Sequence, residues 1–225
     1  MIRIGIIGGA GYTAGELLRI LLNHPNAEIE FVQSSSNAGN LISDIHIDLL
    51  GETNLSFTAK MPFDEVDVIF LCMGHGKSKE FIENNELPES LKIIDLSHDF
   101  RLKREDNNFV YGLPELNRVE IKSANKIANP GCFATGIQLA LLPLAANKLL
   151  VDEVHVQAIT GSTGAGQNPT ETSHFSWRNN NLSAYKVFQH QHEGEILQSL
   201  KQLQPGFSDD FNFVPIRGNH TRSEE

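Results

Sequence analysis

Ile2-Arg3-Ile4-Gly5-Ile6-Ile7-Gly8-Gly9-Ala10-Gly11-Tyr12-Thr13-Ala14-Gly15-Glu16-Leu17-Leu18 is the stretch that decides the fold of this chain. Ile2 to Ile7 is a short β-branched run, which favours a strand. A glycine cluster, Gly8, Gly9 and Gly11, ends it. Glu16 to Asn23 then reads as a helix with its aliphatic residues on one side, and Pro25 closes it. Strand, glycine turn and helix follow one another without a gap.

Working outward, the same alternation repeats. Ile29 to Val32 is a second strand. Val66 to Cys72 is a third and almost wholly apolar, as a parallel strand covered on both faces must be. Gly74 and Gly76 follow it. Lys92 to Leu96 and Lys126 to Ala128 complete the series. Alternating strands and helices predict a doubly wound, parallel, Rossmann-like α/β domain over residues 1–130. After Pro130 the pattern changes. Cys132 to Asn147 reads as a long helix that Pro143 is expected to kink or end early. Val154 to Thr160 alternates as a strand, Gly161 to Gly166 is a glycine-rich loop, Glu193 to Leu203 is a helix and Phe211 to Ile216 a strand. Residues 131–225 therefore read as a second, α+β domain.

With 225 residues, 40% of them hydrophobic, the chain can bury one large core or two modest ones. The net charge of −10 leaves no general attraction for nucleic acid or an anionic membrane surface. An anionic ligand must then be met by a local cation. Two cysteines in unrelated contexts do not make a disulfide framework, and a reducing, cytoplasmic setting is the expectation. Neither a signal peptide nor an apolar run of the ~20 residues that span a bilayer is visible. No Cys/His spacing resembles a zinc site, so no metal is expected.

Gly8-x-x-Gly11-x-x-Ala14 suits a dinucleotide. The first glycine permits a tight turn, the second a close approach of backbone to pyrophosphate, and the third small residue close helix–strand packing. Tyr12, Thr13 and Ala14 stand at the helix start, where unpaired N–H groups and the dipole attract phosphate. The second strand ends in Gln33-Ser34-Ser35-Ser36-Asn37, where an NAD site places a carboxylate. Hydroxyls without a carboxylate favour NADP; an ordinary polar loop is the alternative.

Asn129-Pro130-Gly131-Cys132 turns from a strand into a helix, which puts Cys132 at the helix N-terminus. That position stabilises a thiolate and an oxyanion formed on a carbonyl it attacks. Cys132 is thus the candidate nucleophile. Cys72 ends an apolar strand and reads as core.

Several landmarks together resemble N-acetyl-gamma-glutamyl-phosphate reductases, relatives of aspartate-semialdehyde dehydrogenases. They are Gly8 to Leu17, Asp95-Leu96-Ser97-His98-Asp99-Phe100-Arg101, Tyr111-Gly112-Leu113-Pro114-Glu115, Asn129 to Thr135, Gly161 to Gly166, Ala184-Tyr185-Lys186-Val187, and His190-Gln191-His192 followed by Glu195-Ile196. The resemblance implies NADPH-dependent reduction of an acyl phosphate to a semialdehyde through a Cys132 thioester, within arginine biosynthesis. It implies inorganic phosphate as a product and a homo-oligomer, dimer or tetramer, associating through the second domain. It implies acid/base chemistry at His190 and His192, of which the sequence selects neither. Two residues apart, they are expected to point in different directions, so that at most one reaches Cys132. Gly74, His75 and Gly164 are implied on the cofactor side. Arg101, Asn129, Gly161, Ser162, Lys186 and Arg217 are implied on the substrate side, with a structural ion pair to Asp99 or Glu115 as the other reading of Arg101. N-succinyl-glutamyl, aminoadipyl or aspartyl phosphate as substrate, and a non-catalytic NADP-binding sensor, remain open. The chain departs from the family in Gly74, where proline is usual before the histidine, and in stopping at Ser223-Glu224-Glu225, C-terminally truncated relative to its expected relatives.

Overall fold

A computed structural model describes residues 1–220; residues 221–225, the end of the second domain as read from sequence, lie outside the described residues. The chain forms two compact units. One comprises Met1–Gly112 and Asn117–Asn129, the other Leu113–Leu116 and the chain from Pro130 onward.

The first unit is built on seven strands: β1 (Ile2–Ile7), β2 (Ala27–Gln33), β3 (Phe57–Thr58), β4 (Val68–Leu71), β5 (Lys92–Asp95), β6 (Val110–Tyr111) and β7 (Lys126–Ala128). They lie in the order β3-β2-β1-β4-β5-β7-β6, and every pairing is parallel. Helix α1 (Tyr12–Leu22) follows β1, α2 (Lys77–Asn84) follows β4, and α3 (Pro114–Ser123) precedes β7. Side chains alternate across β1. Ile4 and Ile6 pack with Leu18 and Leu21 of α1, whereas Ile7 packs with Ile69, Leu71 and Phe81 of α2 on the other face. Burying such a side chain contributes roughly 1.5–3 kcal/mol, in keeping with the wholly apolar Val68–Leu71 run of β4. The order reverses between β1 and β4, so the turns that follow them flank one crevice at the carboxyl edge of the sheet. That is where ligands of such sheets bind.

Helix α1 begins at Tyr12, four residues ahead of the expected start at Glu16. Gly15 is poor for helices, but its lack of a side chain is required: a Cβ there would lie 2.7 Å from Nδ1 of His46. Packing overrides propensity.

The second unit contains α4 (Cys132–Ala146), β8 (Val154–Thr160), the one-turn α5 (Phe175–Arg178), β9 (Ser183–Ala184), α6 (His192–Leu203) and β10 (Phe211–Arg217). The sheet runs β8-β10-β9, parallel between β8 and β10 and antiparallel between β10 and β9. Helices α4 and α6 pack on each other, and α6 buries Ile196 and Leu200 completely. Pro143 lies inside α4 and does not end it. Proline removes the bond to the carbonyl four residues back. Pro143 and Leu139 both lie on the exposed side, where water can satisfy that carbonyl. No helix among the described residues is long and apolar enough to cross a membrane.

Candidate active site

The nucleotide half lies in the first unit. Gly8 has φ +80, and a Cβ there would sit 2.9 Å from the Cys72 carbonyl oxygen, so the turn admits glycine alone. The N–H groups of Gly8 and Gly9 both donate to the Gln33 carbonyl, at 3.1 and 2.8 Å. Nε2 of the buried His46 lies 2.8 Å from the Gly9 carbonyl oxygen, which fixes that ring nitrogen as the donor. Past the turn, Tyr12, Thr13 and Ala14 open α1, so their N–H groups have no carbonyl four residues back within the helix. The turn therefore fits a pyrophosphate.

At the end of β2, every serine hydroxyl oxygen accepts from an amide. Asn37 Nδ2 donates to Ser34 and Ser36, and Gln33 Nε2 to Ser35. Gln33 is itself oriented by Gly8, whose N–H also meets Oε1 at 3.3 Å. Across the crevice, Gly74 and Gly76 have positive φ and His75 is exposed between them. Asp99 caps the helix that follows, accepting from the N–H groups of Gly76, Ser78 and Lys79 at 2.8, 3.2 and 3.3 Å. A carboxylate thus already occupies the anion-binding end of α2. His75 stacks on His98 with centroids 4.4 Å apart, and the His98 N–H donates to its Nδ1.

Arg101 is buried and donates from Nε to the Asn129 carbonyl and from an Nη to the Leu96 carbonyl, at 2.8 and 2.9 Å. It braces the strand ends of the first unit. Asp99, one expected ion-pair partner, is engaged as the α2 cap. Asn129 is exposed, and its N–H donates to the Asp95 carbonyl.

The candidate nucleophile, Cys132, lies in the second unit. Gly131 is the N-cap of α4 and Cys132 its first residue, partly exposed. The Gly131 N–H donates to Oε2 of Glu195 at 2.9 Å. Glu195 has 2% exposure, and its other oxygen lies 3.8 Å from Nε2 of His192. Phe133, next to Cys132, gathers the histidines: its ring centroid is 5.7 Å from His190 and 6.4 Å from His192. The two imidazoles are 4.6 Å apart, so they converge instead of diverging as the sequence suggested. The backbone at Gln191 is αR, and His192 opens α6; the pair spans a turn into a helix, not a strand. Burial, followed by the charges of His192 and Lys186, pushes His190 down from its ordinary 6.5 to about 4. Its Nδ1 accepts the His192 N–H at 3.3 Å, which leaves the proton of the neutral ring on Nε2.

Tyr185 packs edge-on to His190, and the Arg217 guanidinium lies 4.2 Å from its ring centroid. Burial raises the Tyr185 phenol, Arg217 opposes this, and the nearby Cys132 adds to the rise. Nε of Arg217 is buried without a hydrogen-bond acceptor among the described residues. Beside it is a cavity of about 150 Å³ lined by Thr172, Trp177, Arg178, Ser183, Ala184, Tyr185 and Arg217. Lys186 is exposed and donates to Gln191. Ser162 to Ala165, including Gly164, form a 3-10 turn after Gly161, and the Ser162 N–H and hydroxyl bond the carbonyls of His220 and Gly218.

Glu195, Tyr185 and Asn37 stood in quoted stretches of sequence without a role of their own, and His46 was passed over. The i,i+3 spacing of His192 and Glu195 on one helix was the one available signal. Nothing in the sequence announces His46.

Residues 3–124 match the semialdehyde dehydrogenase NAD binding domain, and residues 132–223 the semialdehyde dehydrogenase dimerisation domain. Among solved structures, the chain superposes on aspartate semialdehyde dehydrogenase with NADP from Candida albicans with a TM-score of 0.63 at 15% identity, over 97% of this chain and 68% of that one. A probable aspartate-semialdehyde dehydrogenase from Pseudomonas aeruginosa gives 0.67 at 16%, over 96% and 70%. At such identities the likeness shows the fold. Sequence relatives are much nearer. N-acetyl-gamma-glutamyl-phosphate reductases from Parabacteroides distasonis and Bacteroides thetaiotaomicron are 61% and 62% identical over 222 residues, 99% of this chain and 69% of each relative. The chain belongs to the N-acetyl-gamma-glutamyl-phosphate reductase family.

Proposed function

We propose that this chain reduces N-acetyl-gamma-glutamyl phosphate to N-acetyl-glutamate 5-semialdehyde with NADPH, releasing inorganic phosphate, as a cytoplasmic step of arginine biosynthesis. The observation that carries the assignment of the chemistry is Cys132 as the first residue of α4, with the peptide N–H before it held by Glu195 and both histidines gathered on Phe133.

The α4 N-terminus favours the Cys132 thiolate. Sulfur attacks the acyl carbonyl, a C–S bond forms, the bond to the phosphate oxygen breaks and phosphate leaves. The N–H groups of the first turn of α4 stabilise the oxyanion of that step. His190 is neutral near pH 7 and serves as an Nε2–H donor to oxygen, not as an imidazolium. The His192–Glu195 pair holds the proton that leaves and returns as the thiohemiacetal on Cys132 collapses. Arg217, with a buried N–H lacking an acceptor among the described residues, meets an anionic group of the substrate, and Lys186 adds positive charge at the rim. Gly161, Ser162 and Gly164 offer backbone groups to the ligand. NADPH is held by Gly8, Gly11, Tyr12, Thr13 and Ala14 at the pyrophosphate, by Ser34, Ser35 and Ser36 at the 2′-phosphate, and by Gly74 and His75 across the crevice. When bound, it supplies the hydride that reduces the thioester carbonyl. The match to a dimerisation domain supports a homo-oligomer.

The test is the reverse reaction: N-acetyl-glutamate semialdehyde, NADP and phosphate, followed by NADPH absorbance. Phosphate-dependent turnover that Cys132→Ala abolishes is the expected result. Turnover surviving in Cys132→Ala, or a preference for aspartate semialdehyde, would overturn the assignment.

A further inference from the structure

We propose that Asn37 sets the choice between NADP and NAD by orienting the serine hydroxyls at the end of β2. The inference rests on the nucleotide site proposed above and adds a residue that has no place in it.

The side-chain amide of Asn37 donates to Ser34 Oγ at 3.2 Å and to Ser36 Oγ at 3.1 Å. The amide of Gln33 donates to Ser35 Oγ at 3.0 Å. A hydroxyl whose oxygen accepts from an amide keeps its own hydrogen for another partner. All three serines are therefore presented as donors. Phosphate oxygens only accept, so the O–H groups of the exposed Ser35 and Ser36 match a 2′-phosphate, while Ser34 is buried. The ribose 2′-hydroxyl of NAD is recognised through an acceptor, usually a carboxylate. Gln33 is held from reversing, because its Oε1 accepts the Gly8 N–H. Asn37 is thus the position at which the polarity of the loop is set.

Asn37→Asp replaces two donors by acceptors. The Ser34 and Ser36 hydrogens turn inward to the new carboxylate, which also repels a 2′-phosphate and accepts a 2′-hydroxyl. The loop backbone does not depend on this side chain. The Asn40 N–H donates to the Asn37 carbonyl at 3.0 Å and the Gly39 N–H to the Phe57 carbonyl at 2.8 Å.

The experiment is a fluorescence titration of the full chain with NADPH and with NADH. Wild type should bind NADPH at least about tenfold tighter than NADH. In Asn37→Asp, NADPH affinity should fall about tenfold or more, with NADH bound as tightly as before or tighter. Asn37→Ala should lose part of the NADPH affinity and gain none for NADH. An NADPH/NADH ratio in Asn37→Asp within about twofold of wild type would overturn the proposal. If that variant does not fold, unchanged NADPH affinity in Asn37→Ala would do the same. A wild type that binds neither nucleotide, or both equally, removes the NADP reading itself, which separates the two failures.

Discussion

Oε2 of Glu195 accepts the Gly131 N–H at 2.9 Å, so a carboxylate from α6 sits at the N-terminus of the helix that carries Cys132. The contact serves two opposed ends. It satisfies a buried N–H at a helix start, and it places a carboxylate beside the sulfur proposed to react as a thiolate. Glu195→Gln keeps the acceptor and removes the charge. We expect a melting temperature close to wild type, faster iodoacetamide labelling of Cys132 at neutral pH, and slower turnover, because the partner of His192 is lost. Glu195→Ala strands the N–H and should cost about 1–3 kcal/mol in urea unfolding. Labelling slower than wild type in Glu195→Gln would show that the carboxylate promotes the thiolate and sink this account.

His190 gives a pH signature. Its value is near 4 when folded, against an ordinary 6.5. The unfolded chain therefore takes up this proton first as acid is added, and stability contributed by the neutral ring is lost as pH falls from about 6.5 to about 4. Above that window it is fully present. Urea unfolding of wild type and His190→Asn across this range should converge toward the acid end; parallel curves would contradict a neutral, buried His190.

The cysteines should separate by reactivity. Burial, and then the charge of Asp95, pushes the Cys72 thiol up to about 12. Iodoacetamide at neutral pH should therefore modify one residue per folded chain, Cys132, as read by peptide mass. Cys132→Ala should take up no label, and modification at Cys72 would be the contrary result.

His46→Phe keeps a ring against Gly15 and removes the donor to the Gly9 carbonyl. Losing one buried partner costs about 1–3 kcal/mol, so NADPH affinity should fall roughly 5- to 100-fold. Cys132 labelling should not change. If NADPH affinity stays at the wild-type level, the glycine turn does not need its clamp.

What was legible in the sequence was local. The positive φ of Gly8 and the turn at Asn129-Pro130-Gly131-Cys132 are local backbone features, so they can be read without knowing the fold. The apolar run from Val66 to Cys72 betrayed a strand covered on both faces, which the structure trims to Val68–Leu71. The two-residue strands Phe57–Thr58, Val110–Tyr111 and Ser183–Ala184 were missed, since two residues show no periodicity. Glu195 to Gly131 spans 64 residues and His46 to Gly9 spans 37. No spacing rule reaches so far. The histidine pair misled because a turn belongs to neither the strand nor the helix period.

The Gln33 side chain receives Gly8 at one end and orients Ser35 with the other. A single amide plane therefore ties the turn proposed to hold the pyrophosphate to the loop proposed to read the ribose. Transplanting residues 34–37 from an NAD-using relative would leave Gln33 with half its partners and unsettle a turn the graft never touched. Cofactor exchange in this scaffold must carry the last residue of β2 along with the loop.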